Sequence, residues 1–192
     1  MDANVQLSPE ELRLVTDPAW ILTKNSILRK VVKLFADLSA EWRQTPVPDV
    51  LAAGREPRIS KGEQYKGLPW VMLDYPRVFG KDDIAAIRTM FWWGHSFHVT
   101  LHLKGCYLQL YLPVIRSRKA ELMAAGFKVG ISEDEWEHEH SSDTYGGWDR
   151  LDVHSFLKIS ARCELERWAE APDLLTQKFR ELMGVLITQP VK

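Results

Sequence analysis

The sequence predicts an α+β fold: a mainly antiparallel sheet of about four to six strands, helices packed on one face, and a long N-terminal helix. Two observations carry this. Apolar residues recur at helical spacing through residues 8–43, whereas His95–Leu103 and Leu151–Leu165 alternate at period two. Helices and strands also fail to alternate in the repeated βαβ pattern that a parallel sheet needs. With 192 residues, 45% of them apolar, one domain with a substantial core is expected over 1–192. It divides into a helical segment 8–43, a linker 44–58 and an α+β body 59–192.

Taken in order, Ser8-Pro9-Glu10-Glu11 combines an N-cap, a proline at the first helical position and the acid of a capping box. Asp17-Pro18 restarts the same grammar. Trp20, Ile21, Ile27, Leu28, Val31, Leu34, Phe35, Leu38 and Trp42 then form one stripe, fit for a helix of about 25 residues and about 37 Å lying across a sheet. Three prolines and a glycine mark 44–58 as a linker. Leu68–Tyr75 is a nearly unbroken apolar run, a strand buried on both faces, which Pro76 should end. Asp82 and Asp83 precede Ile84, Ile87, Met90 and Phe91 at helical spacing, with Gly94 placed as a C-terminal cap, so a helix is expected there. In the next strand Phe97, Val99, Leu101 and Leu103 face one way, and His98, Thr100 and His102 the other. Lys104-Gly105 reads as a tight turn into a strand over Cys106–Leu112. Pro113 should open a helix closed by Gly126, and Phe127–Ile131 a short strand. The Leu151–Leu165 strand and a helix begun by Pro172-Asp173 complete the chain.

Between them lies an acidic, aromatic, turn-rich stretch, SEDEWEHEHSSDTYGGWD, at residues 132–149. Glu133, Asp134, Glu135, Glu137 and Glu139 repel one another and favour solvent, while Trp136, Tyr145 and Trp148 need apolar neighbours. Gly146-Gly147 gives the backbone freedom to satisfy both demands. The expectation is a lid over an otherwise open sheet face near His98 and His154, with its carboxylates outward.

The motifs Y-x-G-L-P-W at Tyr65–Trp70, L-D-Y-P-R at Leu73–Arg77 and F-W-W-G at Phe91–Gly94 resemble those of a family of uncharacterised bacterial proteins of about this size. The resemblance covers roughly a third of the chain. It implies a bacterial single-domain protein and carries no activity, cofactor or site residue.

Composition narrows the function. A net charge of −1 provides no field for nucleic acid or anionic lipid. No apolar run is long enough to span a membrane, and the N-terminus lacks the pattern of a secretion signal. Cys106 and Cys163 make no disulfide framework, which fits a cytoplasmic protein. Dinucleotide, P-loop and nucleophile-elbow motifs are absent. Two histidines four residues apart on a strand, His98 and His102, stand about 13 Å apart, too far to share one ion. His138 and His140, at i and i+2, are the better-placed metal candidates, although no recognised metal spacing is present and no cofactor is implied. The ligand-binding candidates are His98, His102, His154, Trp136, Tyr145, Trp148 and Arg77. Together they point to a binding or accessory protein for a small molecule or protein partner, using the open sheet face and the aromatic loop. The alternative is a small hydrolase-like or metal-assisted enzyme on the same face.

Overall fold

The computed structural model describes residues 5–151 and 155–188. Helices α1 (Pro9–Thr16) and α2 (Pro18–Trp42) open the chain. The Ser8 hydroxyl accepts from the Glu11 amide, and the Glu11 carboxylate accepts from the Ser8 amide, so the capping box is complete. Asp17 caps α2 by accepting from the Ala19 amide at 2.9 Å. The α2 stripe buries Leu28, Val31, Phe35, Leu38 and Trp42, but its first turn leaves Trp20 and Ile21 exposed. The proline-rich linker is docked on the sheet. Its helical turn Asp49–Gly54 buries Leu51, and a Cβ at Gly54 would meet the Arg77 backbone at 2.7 Å.

Among the described residues, seven strands form one antiparallel sheet: β1 (Arg58–Tyr65), β2 (Leu68–Phe79), β3 (Ile84–Trp92), β4 (Ser96–Lys104), β5 (Lys128–Gly130), β6 (Tyr145–Gly146) and β7 (Phe156–Glu164). Their order across the sheet is β1-β2-β3-β4-β7-β5-β6. The count exceeds the expected range because β1 and β6 add strands that were not expected. Ile84–Trp92 is also a strand and not a helix, but that gain is cancelled by residues 106–112, which are helical. Ala85, Ile87 and Phe91 enter the core on one face, while Ala86, Arg88, Met90 and Trp92 occupy the other. Filling both faces of a strand yields an apolar run in which helical spacing arises by coincidence. Strand β2 also continues past Pro76, which falls in a register shift between Asp74 and Arg77 where no ladder donor is required.

The segment after β4 is likewise helical. Gly105, at φ 60, turns the chain, and Asp83 accepts the Cys106 amide at 2.7 Å, satisfying a first-turn donor of α3 (Cys106–Ser117). Pro113 lies inside α3 and does not begin it. Helix α4 (Lys119–Ala124) follows and ends at Gly126, φ 80, as expected. Helix α5 (Ala171–Ile187) closes the described fold.

Helices α2, α3 and α5 cover one face of the sheet. There Val71, Leu73, Ile87, Phe91, Phe97, Val99, Leu101 and Ile159 meet Phe35, Ile115, Phe179 and Leu182. Trp42 stacks on Phe179 at 4.1 Å and donates its Nε1–H to Thr176 at 3.0 Å, so its polar edge is satisfied inside the core. Among the described residues, no helix is long and apolar enough to cross a membrane. The opposite face is mixed: a small cluster of Met72, Met90 and Trp92 sits beside polar residues.

Candidate functional site

Strand register assembles that second face. Asp74, Arg88, Thr100 and Ser160 stand opposite one another on β2, β3, β4 and β7. Flanking rows are Met72, Met90, His98 and Arg162 on one side, and Ala86, His102 and Lys158 on the other. This face is not open. His98, Thr100, His102, Lys158 and Ser160 are all buried, because residues 131–144 fold over them. The base of that loop is closed by the β5–β6 pairing and by the Ile131 amide donating to Thr144 O at 2.8 Å.

The loop is held down by its own acids. The Tyr65 hydroxyl donates to Glu137 Oε1 at 2.5 Å and accepts the His138 amide at 2.7 Å. Lys66 Nζ bridges Glu137 and Glu139, and Lys104 Nζ meets Glu135 at 3.0 Å. The expected outward carboxylates are therefore corrected for Glu135 and Glu137, which find cations and a phenol on the sheet, whereas Glu133 and Asp134 remain exposed. Burial works against ionisation of Glu137, but hydrogen bonds from Tyr65, the Glu139 amide and Lys66 outweigh it and hold the carboxyl down at about 2. Burial, with Glu137 beside it, pushes the Tyr65 phenol up to about 12.

Beneath the loop, a histidine layer joins β4 to the covering segment. The His98 and His140 rings lie 4.3 Å apart, and His140 stacks on Tyr145 at 4.0 Å. His98 Nε2 pairs with Ser96 Oγ at 2.6 Å, His140 Nε2 with Ser160 Oγ at 2.8 Å, and Ser160 Oγ with Thr100 Oγ1 at 2.6 Å. The Tyr145 hydroxyl is buried and faces these two hydroxyls without completing a hydrogen bond. Loss of water, then nearby cations, holds His102 and His140 down at about 3. His98 and His138 are held well below the usual range for the same first reason. His138 keeps some accessible surface, and its ring packs edge-on against Tyr65 at 5.6 Å. The layer is thus neutral at pH 7. Lys158 donates to Glu137 O, and burial with Arg88 nearby pushes its amine down to about 8.

The other half of the face centres on Arg88. Its Nε donates to Asp74 Oδ1 at 2.8 Å, and its Cζ lies 5.3 Å from both the Phe79 and Trp136 ring centres. Its Nη1 is buried and finds no hydrogen-bond partner among the described residues. Behind Trp136, His102 Nε2 stops 3.6 Å from Glu135 Oε2, and neither atom has a hydrogen-bond partner among the described residues. Arg88 forms part of the wall of a groove of about 540 Å³, together with Tyr65, Trp70, Met72, Met90, Trp136 and His138. Such a volume is within the roughly 300–1,000 Å³ of small-molecule sites. Gly62 on edge strand β1 shapes it, because a Cβ there would meet the Trp70 indole at 2.7 Å.

Of the residues expected to bind, the structure brings His98, His102, Trp136 and Tyr145 together, with His138 and His140 under the loop. Trp148 belongs elsewhere: it packs into the main core and donates its Nε1–H to Phe127 O at 2.8 Å. Arg77 is also corrected. Beyond the register shift its Nε donates to Glu56 O at 3.2 Å, away from the groove. His154 lies outside the described residues. Among the described residues, no group of three or more His, Cys, Asp and Glu is arranged to hold a metal. Exposed Cys106 has its thiol pushed up by the Asp83 carboxylate, the reverse of an activated nucleophile. Arg88 is the residue that sequence reasoning missed, because it sat in the segment read as a helix. The period-two set Ala86, Arg88, Met90, Trp92 was the signal for it.

No family model matches this chain, and searches of curated proteins and of solved structures returned no match either.

Proposed function

We propose that this is a small-molecule-binding protein whose ligand lies in the groove between β1–β3 and the loop 131–144. The observation that carries the reading is Arg88, which lines a groove otherwise walled by Trp70, Met72, Met90 and Trp136 and whose buried Nη1 finds no hydrogen-bond partner among the described residues. Leaving such a donor unsatisfied costs about 1–3 kcal/mol, more for a charged group, and an acceptor on a ligand recovers it. Apolar walls with one or two fixed polar groups are the usual composition of a ligand site. Both cysteines are free, which supports placing this function in a reducing compartment such as the cytoplasm. Indole titration, followed through the tryptophan side-chain N–H resonances, tests the reading. Trp70 and Trp136 should shift, whereas Trp42 and Trp148, bonded inside the core, should not. Shifts confined to other tryptophans, or none at millimolar indole, would refute the groove.

One observation favours a hydrolytic reading: His140, neutral, sits 2.8 Å from the Ser160 hydroxyl, as a general base does from its nucleophile. Against it, Ser160 is fully buried and its hydroxyl is shared with Thr100. Labelling of Ser160 by a fluorophosphonate, lost in His140→Gln, would favour this second reading over the first.

A further inference from the structure

Resting on the groove reading, we infer that the ligand is a neutral, planar aromatic molecule carrying a carbonyl acceptor, of the carboxamide or lactam type, and not a carboxylate or an amine. The body of the ligand follows from the walls. Tyr65, Trp70 and Trp136 provide flat apolar faces, and Met72 and Met90 an adaptable floor. Its charge follows from the ion pairs. Asp74 already answers the Arg88 charge at 2.8 Å, and both side chains are largely buried at 8% and 12% exposure. What Arg88 has left is an N–H direction and not an unbalanced charge. The remaining charged residues of the groove wall are acidic, Asp134 and Glu63, and Glu63 is itself paired with Lys24. A carboxylate would therefore bring a further anion up to buried Asp74 in a low-dielectric setting, with the acidic Asp134 at the exposed rim. An ammonium has donors only, so it cannot accept from Arg88 and leaves Nη1 unsatisfied. A carbonyl oxygen accepts the Nη1–H without adding charge to either side.

Three probes with one indole body separate these cases: indole-3-acetamide, indole-3-acetate and tryptamine, titrated calorimetrically into the full chain at pH 7.5. The amide should bind at least tenfold more tightly than either charged probe. Asp74→Asn is nearly isosteric and keeps an oxygen for Arg88 Nε, but it releases the Arg88 charge. In that variant the ratio of acetate to amide affinity should rise at least tenfold. Gly62→Ala, whose methyl group meets the Trp70 indole, should weaken all three probes together, and it keeps the site testable if Asp74→Asn does not fold. Acetate or tryptamine binding as well as the amide to the native protein would overturn the ligand class while leaving the groove in place. Binding that ignores Gly62→Ala, or no binding by any probe to the folded protein, would overturn the groove itself and the class with it.

Discussion

Arg88 and Asp74 form the most consequential pair on the polar face, and each depends on the other. Removing either partner from a buried ion pair leaves the survivor desolvated and uncompensated, which typically costs about 3–5 kcal/mol. Arg88→Ala and Asp74→Ala should each lose that much in urea denaturation, whereas Asp74→Leu combined with Arg88→Met should lose far less. Single variants as stable as the parent would show that the pair is solvated. Trp92 and Trp93 make a second residue-scale test. Trp92 is buried, with its ring stacked 3.5 Å from His95 and meeting Tyr65 edge-on at 5.1 Å, while Trp93 keeps part of its surface. Trp92→Ala should cost about 3–5 kcal/mol and Trp93→Ala clearly less, read as shifts in the urea midpoint. The apolar stripe of Ile84, Ile87 and Phe91 predicts that at least one of the two is buried, and Trp92 is. The face it enters was not legible in the sequence, because a helix and a doubly buried strand send the same side chains to different places.

The loop over the polar face shows what composition reveals and what register withholds. Its clash of acids with aromatics signalled a covering segment, but Gly146 lies in β6 and the chain returns instead through a turn at residues 141–144, where the Tyr145 amide donates to Ser141 O at 3.0 Å. The destination of Glu137 was hidden, because Tyr65 and Lys66 lie more than seventy positions away and only the fold makes them neighbours. Tyr65→Phe removes one hydroxyl that donates to Glu137 and accepts from His138, and should weaken loop closure by about 1–3 kcal/mol. Amide exchange at His138 should quicken at least several-fold, and unchanged exchange would mean the phenol does not hold the loop. The histidines add a pH dependence of definite sign. His98, His102, His138 and His140 are depressed when covered and regain an ordinary value of about 6.5 when the loop opens. Closure is therefore fully supported above that value and weakens as pH falls below it, by up to about 1.4 kcal/mol per pH unit for each imidazole uncovered. Glu137 acts in the same direction but later: its contribution is present above its ordinary 4.5 and is lost as pH falls toward about 2.

At the scale of the molecule, stability is concentrated on the helical side of the sheet. Helix α1 buries no residue, and Leu12, Val15, Trp20, Ile21 and Leu22 are exposed at this end of the chain. Deleting residues 1–16 should leave the thermal midpoint nearly unchanged, while Phe35→Ala, inside the main core, should cost about 3–5 kcal/mol. A large loss on deletion would mean that α1 contributes to the core after all. The α+β class, the long second helix and the inward face of β4 were legible because one clear period governs each. The segments 84–92 and 106–112 were not, since a strand filled on both faces and a helix rich in apolar residues both read as continuous hydrophobic runs. The covered polar face is the feature on which the proposed site depends, and hydrogen exchange of the full chain at pH 7.5 and 5.5 examines it, compared as protection factors so that intrinsic rates cancel. Residues 131–144 should be protected at pH 7.5 and lose at least tenfold of that protection at pH 5.5, while α2 and α5 hold theirs. Fast exchange of the loop already at pH 7.5, or equal protection at both values, would contradict a closed histidine layer beneath it.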